Sequence, residues 1–519
     1  MNQLFKVYSI RVLLLILLVS CEKKQSEKQI ERPNILFIMT DDHAIKALSA
    51  YEGALNHTPN LDRIAAGGLV FNNSFVANSI CAPSRATMLT GKFTHINGQI
   101  NNTVRFDSLQ WTFPKALQKV GYQTALVGKW HLKSQPTGFD YWEILTGQGH
   151  YYSPDFITEN GTKRYEGYVT TITTDKALDW LKDKRDTSKP FCMLLHHKAP
   201  HRTWMPDTTD LHIYDTVKFP VPETYFDSYE GRLAAREQKM SIIEDMDVVY
   251  DLKMLDEEQE IQTTLRKHFQ GQYDRMNEKQ RKAWDIKYDP IIKDFKEKRY
   301  TGRDLALWKY QRYMEDYLAT VNSVDRNVGR VLDYLEENNL MDNTIIVYTS
   351  DQGFYLGEHG WFDKRFMYEE SFKTPLVMKF PKHIQKTTGE IEALVQNIDY
   401  APTFLHYAGA EIPEEVQGHS LHSIIEGTEN RVRKELYYHY YEFPNEHMVK
   451  RHYGIRTEKY KLIHFYNDID EWELYDLQKD PNEMNNLYHN LSYKEVIVDL
   501  KQQLQKLQEA YQDTDRTTY

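Results

Sequence analysis

Short unbroken apolar runs recur along the chain at Ile35–Met39, Thr124–Val127, Phe191–Leu195, Thr344–Tyr348 and Pro375–Met378. Runs of this length without alternation suit strands buried on both faces, as in a parallel sheet. Helical patterns lie between them. The clearest is Met314–Leu335, where Met314, Tyr317, Leu318, Val321, Val324, Val328, Val331, Leu332 and Leu335 fall at three- and four-residue steps. Strands alternating with helices predict an α/β fold, a large mixed sheet sandwiched by helices. The pattern then changes twice. From about 207 to 305 charge is dense and strand pattern disappears, which predicts a mostly helical insertion. From residue 436, Leu436–Tyr441, Tyr453–Arg456, Lys461–Phe465 and Leu474–Asp476 read as short strands before a closing helix over Val496–Gln512. The expected organisation is a main domain over 33–435 and a smaller C-terminal α+β subdomain over 436–519.

The N-terminus has its own pattern. Lys6 and Arg11 flank the start of an apolar stretch, Val12–Val19, too short to span a bilayer. It ends in Leu18-Val19-Ser20-Cys21, which resembles a bacterial lipobox. The expectation is a signal peptide over 1–20, cleavage before Cys21, lipid attachment to its thiol, and a polar tether over 21–32. The mature chain would be exported and anchored to a bacterial membrane, at the outer membrane or cell surface or facing the periplasm. No later segment is long and apolar enough to be a transmembrane helix.

Composition narrows the function classes. The chain has 519 residues, 41% apolar, in the ordinary globular range. Its net charge of −11 argues against non-specific nucleic-acid binding. Three cysteines cannot build a disulfide framework, and Cys192, inside an apolar run, reads as a buried thiol.

Candidate chemistry sits at the carboxyl ends of the predicted strands. Asp41 and Asp42 follow the first run, Lys129 and His131 the second, His201 the third, and Asp351 and Gln352 the fourth. In open α/β sheets the ligand crevice lies outside these ends. Three carboxylates and an amide oxygen are hard donors that suit Ca²⁺, with Mg²⁺ the weaker fit. Arg85, Lys129, His131, His201 and Lys364 add cationic or hydrogen-bonding groups, as a small multiply charged oxyanion would require. His43, His95, His196 and His197 are further histidines within reach, read chiefly as packing or capping groups. The segment Cys81-Ala82-Pro83-Ser84-Arg85 through Thr90-Gly91 reads as a helix with Pro83 in its first turn and Gly91 as its stop. Cys81 would then sit at a helix N-terminus, where backbone N–H groups favour an anion, including a thiolate.

Taken together, these segments resemble the formylglycine-dependent type I sulfatases of the alkaline-phosphatase superfamily. The resemblance is carried by Cys81-x-Pro83-Ser84-Arg85 with Thr90-Gly91, by Pro33-Asn34-Ile35-Leu36 before Asp41-Asp42, and by Thr58-Pro59-Asn60-Leu61-Asp62. Gly128-Lys129-Trp130-His131, Ala199-Pro200-His201, Thr349-Ser350-Asp351, Glu358-His359-Gly360, Lys364, Leu474-Tyr475-Asp476-Leu477 and Asp480-Pro481 continue it in order. It implies that a maturation enzyme oxidises Cys81 to formylglycine, and that a hydrated oxygen of this residue, held with Asp41, Asp42, Asp351 and Gln352 on Ca²⁺, attacks sulfur. It further implies that Lys129 and Lys364 grip the sulfate and that Arg85 and His131 hold the hydrated aldehyde. His201 is the candidate acid for the leaving alcohol. Many relatives carry Asn or His in place of Gln352, whose longer side chain makes it the odd ligand of the set.

The implied substrate is a sulfated polysaccharide or oligosaccharide, either a glycosaminoglycan or an algal glycan such as ulvan, carrageenan or fucoidan. Aromatic and polar segments at Gln148–Tyr152, Trp204, Tyr355 and Trp361–Arg365 are candidates for a sugar-binding rim. Three competing readings remain at this level. They are a formylglycine-dependent phosphodiesterase or phosphonate hydrolase, a catalytically dead glycan-binding lipoprotein, and a hydrolase using the Cys81 thiolate.

Overall fold

The computed structural model describes residues 32–255, 263–385 and 388–514. The expected signal peptide, the lipid-acceptor Cys21 and all of the tether but Arg32 lie outside the described residues. We label the strands that carry the site β1 (Asn34–Thr40), β2 (Gln123–Gly128), β3 (Phe191–His196), β4 (Thr344–Ser350) and β5 (Leu376–Lys379). They belong to a ten-stranded sheet in which β5, β4, β1, β3, β2 and Tyr141–Leu145 lie side by side in that order. From β4 to Tyr141–Leu145 all neighbours are parallel.

Every residue of β1 is buried, and its two faces serve two cores. Leu36 and Ile38 pack with Val127, Leu195, Ile346 and Tyr348. The long helix Gly302–Glu337 covers that face through Val321, Val324 and Val328. Ile35, Phe37 and Met39 pack on the other face with Leu126, Leu194, Ile345 and Val347, beneath Ala82, Ala86 and Phe404. Two-faced burial is why the strand sequence shows no alternation.

The run at Pro375–Met378 departs from expectation. Its strand, β5, lies antiparallel to β4, with Leu376 opposite Thr349. An apolar run reports burial on both faces and carries no information on direction. The insertion also departs. Its helices are Leu233–Glu237, Thr264–Tyr273 and Glu278–Lys298, whereas 207–232 forms turns and loops. That stretch is held by separate anchors such as Phe219 and Tyr225, both buried, which follow no helical period.

The C-terminal strands Glu435–Tyr440, His452–Thr457, Tyr460–Phe465 and Glu471–Asp476 form a four-stranded antiparallel sheet in chain order. The helix Lys494–Ala510 packs on it through Leu500, Leu504 and Leu507.

Register decides where the chemistry lands. Thr40 pairs with Ser350, and His196 pairs with both Met39 and Gly128. The carboxyl ends of β1 to β4 are therefore level, on one edge of the sheet.

Candidate active site

Asp41 and Asp42 leave β1, Lys129 leaves β2, Lys198 follows β3, and Asp351 and Gln352 leave β4. All six are buried. Gly128, which turns the chain into Lys129, has φ of +105°, and a Cβ there would lie 1.9 Å from the His196 carbonyl oxygen. Only glycine permits this exit. Above the strand ends lies the helix α1 (Cys81–Thr90), whose ten residues are all buried. Gly91 closes it at φ 63°, in the left-handed region expected of a C-terminal glycine stop.

The three aspartates converge: carboxylate oxygens of Asp41, Asp42 and Asp351 lie within 4.8 Å of one another. Buried carboxylates this close need positive charge nearby. Arg85 reaches down from α1, with Nε 3.0 Å from Asp351 Oδ2 and Nη2 3.3 Å from Asp41 Oδ2. Lys129 is ion-paired with Asp41. Lys364 Nζ lies 2.7 Å and 2.8 Å from the two Asp42 oxygens. Burial opposes the Lys364 charge, but Asp363 and Asp42 outweigh it and raise its pKa above the ordinary value.

Cys81 Sγ lies 3.3 Å from Asp41 Oδ1. Burial pushes its thiol well above the usual range, with Asp351 and Asp42 acting in the same direction. The thiolate suggested by the helix N-terminus is therefore disfavoured, because desolvation and two carboxylates outweigh the helix end.

Gln352 donates its amide nitrogen to Asp42 and, at 3.8 Å, to Cys81 Sγ, while its Oε1 is buried without a partner. The two ends of an amide are isosteric, and turning it over would aim that orphaned oxygen at the carboxylates. Three carboxylates and a spare amide oxygen fit Ca²⁺ as a resident ion.

His201 borders the cluster, its Nε2 3.9 Å from Asp42 Oδ2 and its side chain 14% exposed. Its Nδ1 is 2.7 Å from the Arg202 carbonyl oxygen, which fixes the ring so that Nε2 faces the cleft. Burial and the ammonium groups of Lys129, Lys198 and Lys364 hold its pKa well below the usual imidazole value. The same is true of His131, where burial, Lys129 and Arg85 act. Asp42, His131, His359, Asp363 and Arg365 have positive φ values between 56° and 99°, a concentration of backbone strain typical of functional sites.

All ten residues singled out in the sequence thus gather at one edge of the sheet. The other histidines do not join them. His43 bonds Tyr348, His95 bonds the Tyr511 carbonyl oxygen, His196 packs against the Lys129 carbonyl, and His197 is fully buried. Of the expected sugar-binding rim, the polar members Gln148 and Asp363 lie beside Lys129 and Lys364, but the aromatic members are not exposed. Tyr151, Tyr152, Trp204, Tyr355 and Trp361 are wholly buried, Trp361 stacking on Tyr229 and Phe366. They are core packing that supports the loops.

Beside Lys364 lies a buried polar cluster. Asp363 Oδ1 accepts from Arg365 Nε at 3.1 Å, and its Oδ2 lies 3.3 Å from His447 Nε2. Arg365 also pairs with Glu442 at 3.0 Å, so the C-terminal subdomain supplies part of this cluster. Sequence reasoning passed over His447, Glu442 and Lys198, whereas Gln148, at the head of the expected Gln148–Tyr152 segment, accepts from Lys129. Only Lys198 had a visible signal, its place just after a strand.

Comparison with known proteins adds to this geometry. The sulfatase family model matches residues 33–410, and the model of the N-sulphoglucosamine sulphohydrolase C-terminal region matches 357–510. The chain is 51% identical over 505 residues to an N-acetylglucosamine-6-O-sulfatase of Bacteroides thetaiotaomicron, covering 96% of this chain and 90% of that protein. It superposes with a TM-score of 0.90, at 51% identity, on a structure solved with its substrate D-glucosamine-2-N,6-O-disulfate, covering 93% of this chain and 99% of that one. A phosphonate monoester hydrolase of Silicibacter pomeroyi shares the fold alone, with a TM-score of 0.67, 20% identity, and coverage of 93% and 96%.

Proposed function

Since this chain belongs to the sulfatase family, we propose that it removes the 6-O-sulfate from a glucosamine residue of a sulfated glycosaminoglycan, after a maturation enzyme has converted Cys81 to formylglycine. The observation that carries the reaction class is Cys81 on a fully buried helix, 3.3 Å from a carboxylate cluster flanked by Arg85, Lys129 and Lys364. The glucosamine assignment is supported by the relative of 51% identity and by the substrate of the matching solved structure. It favours glucosamine over the algal glycans.

Each residue has a task in that reaction. Lys129 and Lys364 neutralise the sulfate oxygens, so that charge moving onto them costs little. Arg85 holds Asp41 and Asp351 in place and keeps the residue at position 81 oriented, with His131 beside it. His201, with Nε2 facing the cleft, gives a proton to the sugar oxygen as the S–O bond breaks. It gives that proton as an imidazolium, a charge that burial and the ammonium groups of Lys129, Lys198 and Lys364 oppose and that the approaching sulfate anion supports. Asp363, Arg365, Glu442 and His447 are placed to hydrogen-bond the sugar hydroxyls. Asp41, Asp42, Asp351 and Gln352 would hold Ca²⁺, which supplies positive charge against sulfate and nucleophile when bound. Formylglycine supplies an oxygen nucleophile in place of the thiol. The lipobox-like Leu18-Val19-Ser20-Cys21 supports export and lipid anchoring to a bacterial membrane.

The test is sulfate release by protein whose Cys81 peptide has been checked by mass. Substrates are glucosamine 6-sulfate and its N-sulfated form, set against ulvan, carrageenan and fucoidan fragments and a phosphonate monoester. Preference for the glucosamine compounds is expected. Preference for the phosphonate would overturn the reaction class, and an unmodified thiol after co-production with a maturation enzyme would favour a dead binding protein.

A further inference from the structure

Two of the three lysines in the cleft are paired with carboxylates, Lys129 with Asp41 and Lys364 with Asp42. Lys198 is different. It is 2% exposed, and among the described residues no carboxylate oxygen lies within 4.0 Å of its ammonium. Its Nζ stands 4.6 Å from the centre of the Tyr151 ring. The Tyr151 hydroxyl donates to the His201 carbonyl, so ring, lysine and candidate acid form one wall. The charged or titratable groups facing Lys198 are Asp42, Cys81, Lys364, Lys129, His201 and His150. Of these only Asp42 is a carboxylate, and it is already bound by Lys364.

We propose that Lys198 is a further catalytic residue, a third cation whose ammonium meets an oxygen of the bound sulfate. The proposal rests on the reading that the substrate is a sulfate ester. A desolvated ammonium without a counter-ion is costly in the free protein, and an arriving anion removes that cost. The same imbalance shows in its acidity: burial brings Lys198 down to about 7, with Lys364 opposing its charge and Asp42 supporting it. Sulfate binding near pH 8 should therefore draw a proton onto the site.

The experiment uses matured, Ca²⁺-loaded enzyme and inorganic sulfate as the probe. Calorimetry in two buffers of different ionisation heat reads affinity and proton uptake together. K198M keeps the length of the stem and removes the charge. It should bind sulfate at least about tenfold more weakly and lose on the order of 10²-fold in kcat/KM. K198R keeps a charge that cannot be lost, so it should retain sulfate affinity within a few-fold while proton uptake at pH 8 falls. The proposal is overturned if K198M binds sulfate like the wild type with kcat/KM within threefold. Should K198M fail to fold, K198Q is read in its place, and sulfate affinity like the wild type with kcat/KM within threefold in K198Q overturns the proposal. If the wild type binds sulfate but does not cleave glucosamine 6-sulfate, the substrate reading fails and the Lys198 assignment is judged on the binding data.

Discussion

Arg85 and Asp351 form a buried pair in which Nε and Nη2 both approach Oδ2, at 3.0 and 2.9 Å. This contact ties helix α1 to the end of β4 and so fixes where position 81 stands over the carboxylates. Lysine offers a point charge rather than a planar fork. Arg85→Lys should therefore lower kcat by about 10²-fold or more, and Arg85→Ala should also cost about 3–5 kcal/mol of stability by leaving buried carboxylates unpaired. Steady-state kinetics and denaturant melts of both variants check this.

The carboxylate cluster predicts a metal-dependent stability. Ca²⁺ that binds only the folded chain stabilises it by about 2.7 kcal/mol at a hundredfold excess over Kd. Chelator should lower Tm and Ca²⁺ should restore it. Asp351→Asn should abolish the response. A Tm indifferent to both treatments in the wild type would remove the ion from the site.

His201 should matter in proportion to how poor the leaving group is. A sugar alkoxide needs a proton and a nitrophenolate does not. His201→Gln is expected to cost about 10²–10⁴-fold in kcat on a sugar sulfate and less than about tenfold on nitrophenyl sulfate. Equal losses on both would assign His201 to binding rather than proton transfer.

Glu473 gives a pH dependence far from the reaction. It is fully buried, accepts from Tyr368 and Tyr475 on one oxygen, and has no partner on the other. Burial, with Glu471 adding to it, raises its pKa from 4.5 to about 8. A raised carboxyl pKa means the fold holds a proton the unfolded chain releases. Its contribution is full below about pH 4.5 and is lost as pH rises through about 8. Glu473→Gln should raise Tm at pH 8 by on the order of 2 °C and change little at pH 5. Thermal melts across this range decide it.

What could be read from the sequence followed from burial. Strands enclosed on both faces leave unbroken apolar runs, so β1 to β4 and the chemistry at their ends were visible together. Direction leaves no such trace, which is why β5 was misplaced. The 207–232 stretch is anchored by scattered side chains such as Tyr225, and no period marks it. The place of Lys198 just after a strand was visible, but only the fold shows that it is buried with no carboxylate within 4.0 Å among the described residues. Trp204 and Trp361 looked like a rim because loops near a cleft also need cores of their own.

Cys81 is 1% exposed, at the start of a helix with no solvent-facing residue. An enzyme cannot grip a side chain sealed under a finished sheet. If position 81 is to be edited, the editor must act on the nascent or still extended chain, before α1 docks. Folding rate then sets a deadline: variants that collapse early would accumulate unedited, and no later exposure to the editor would rescue them.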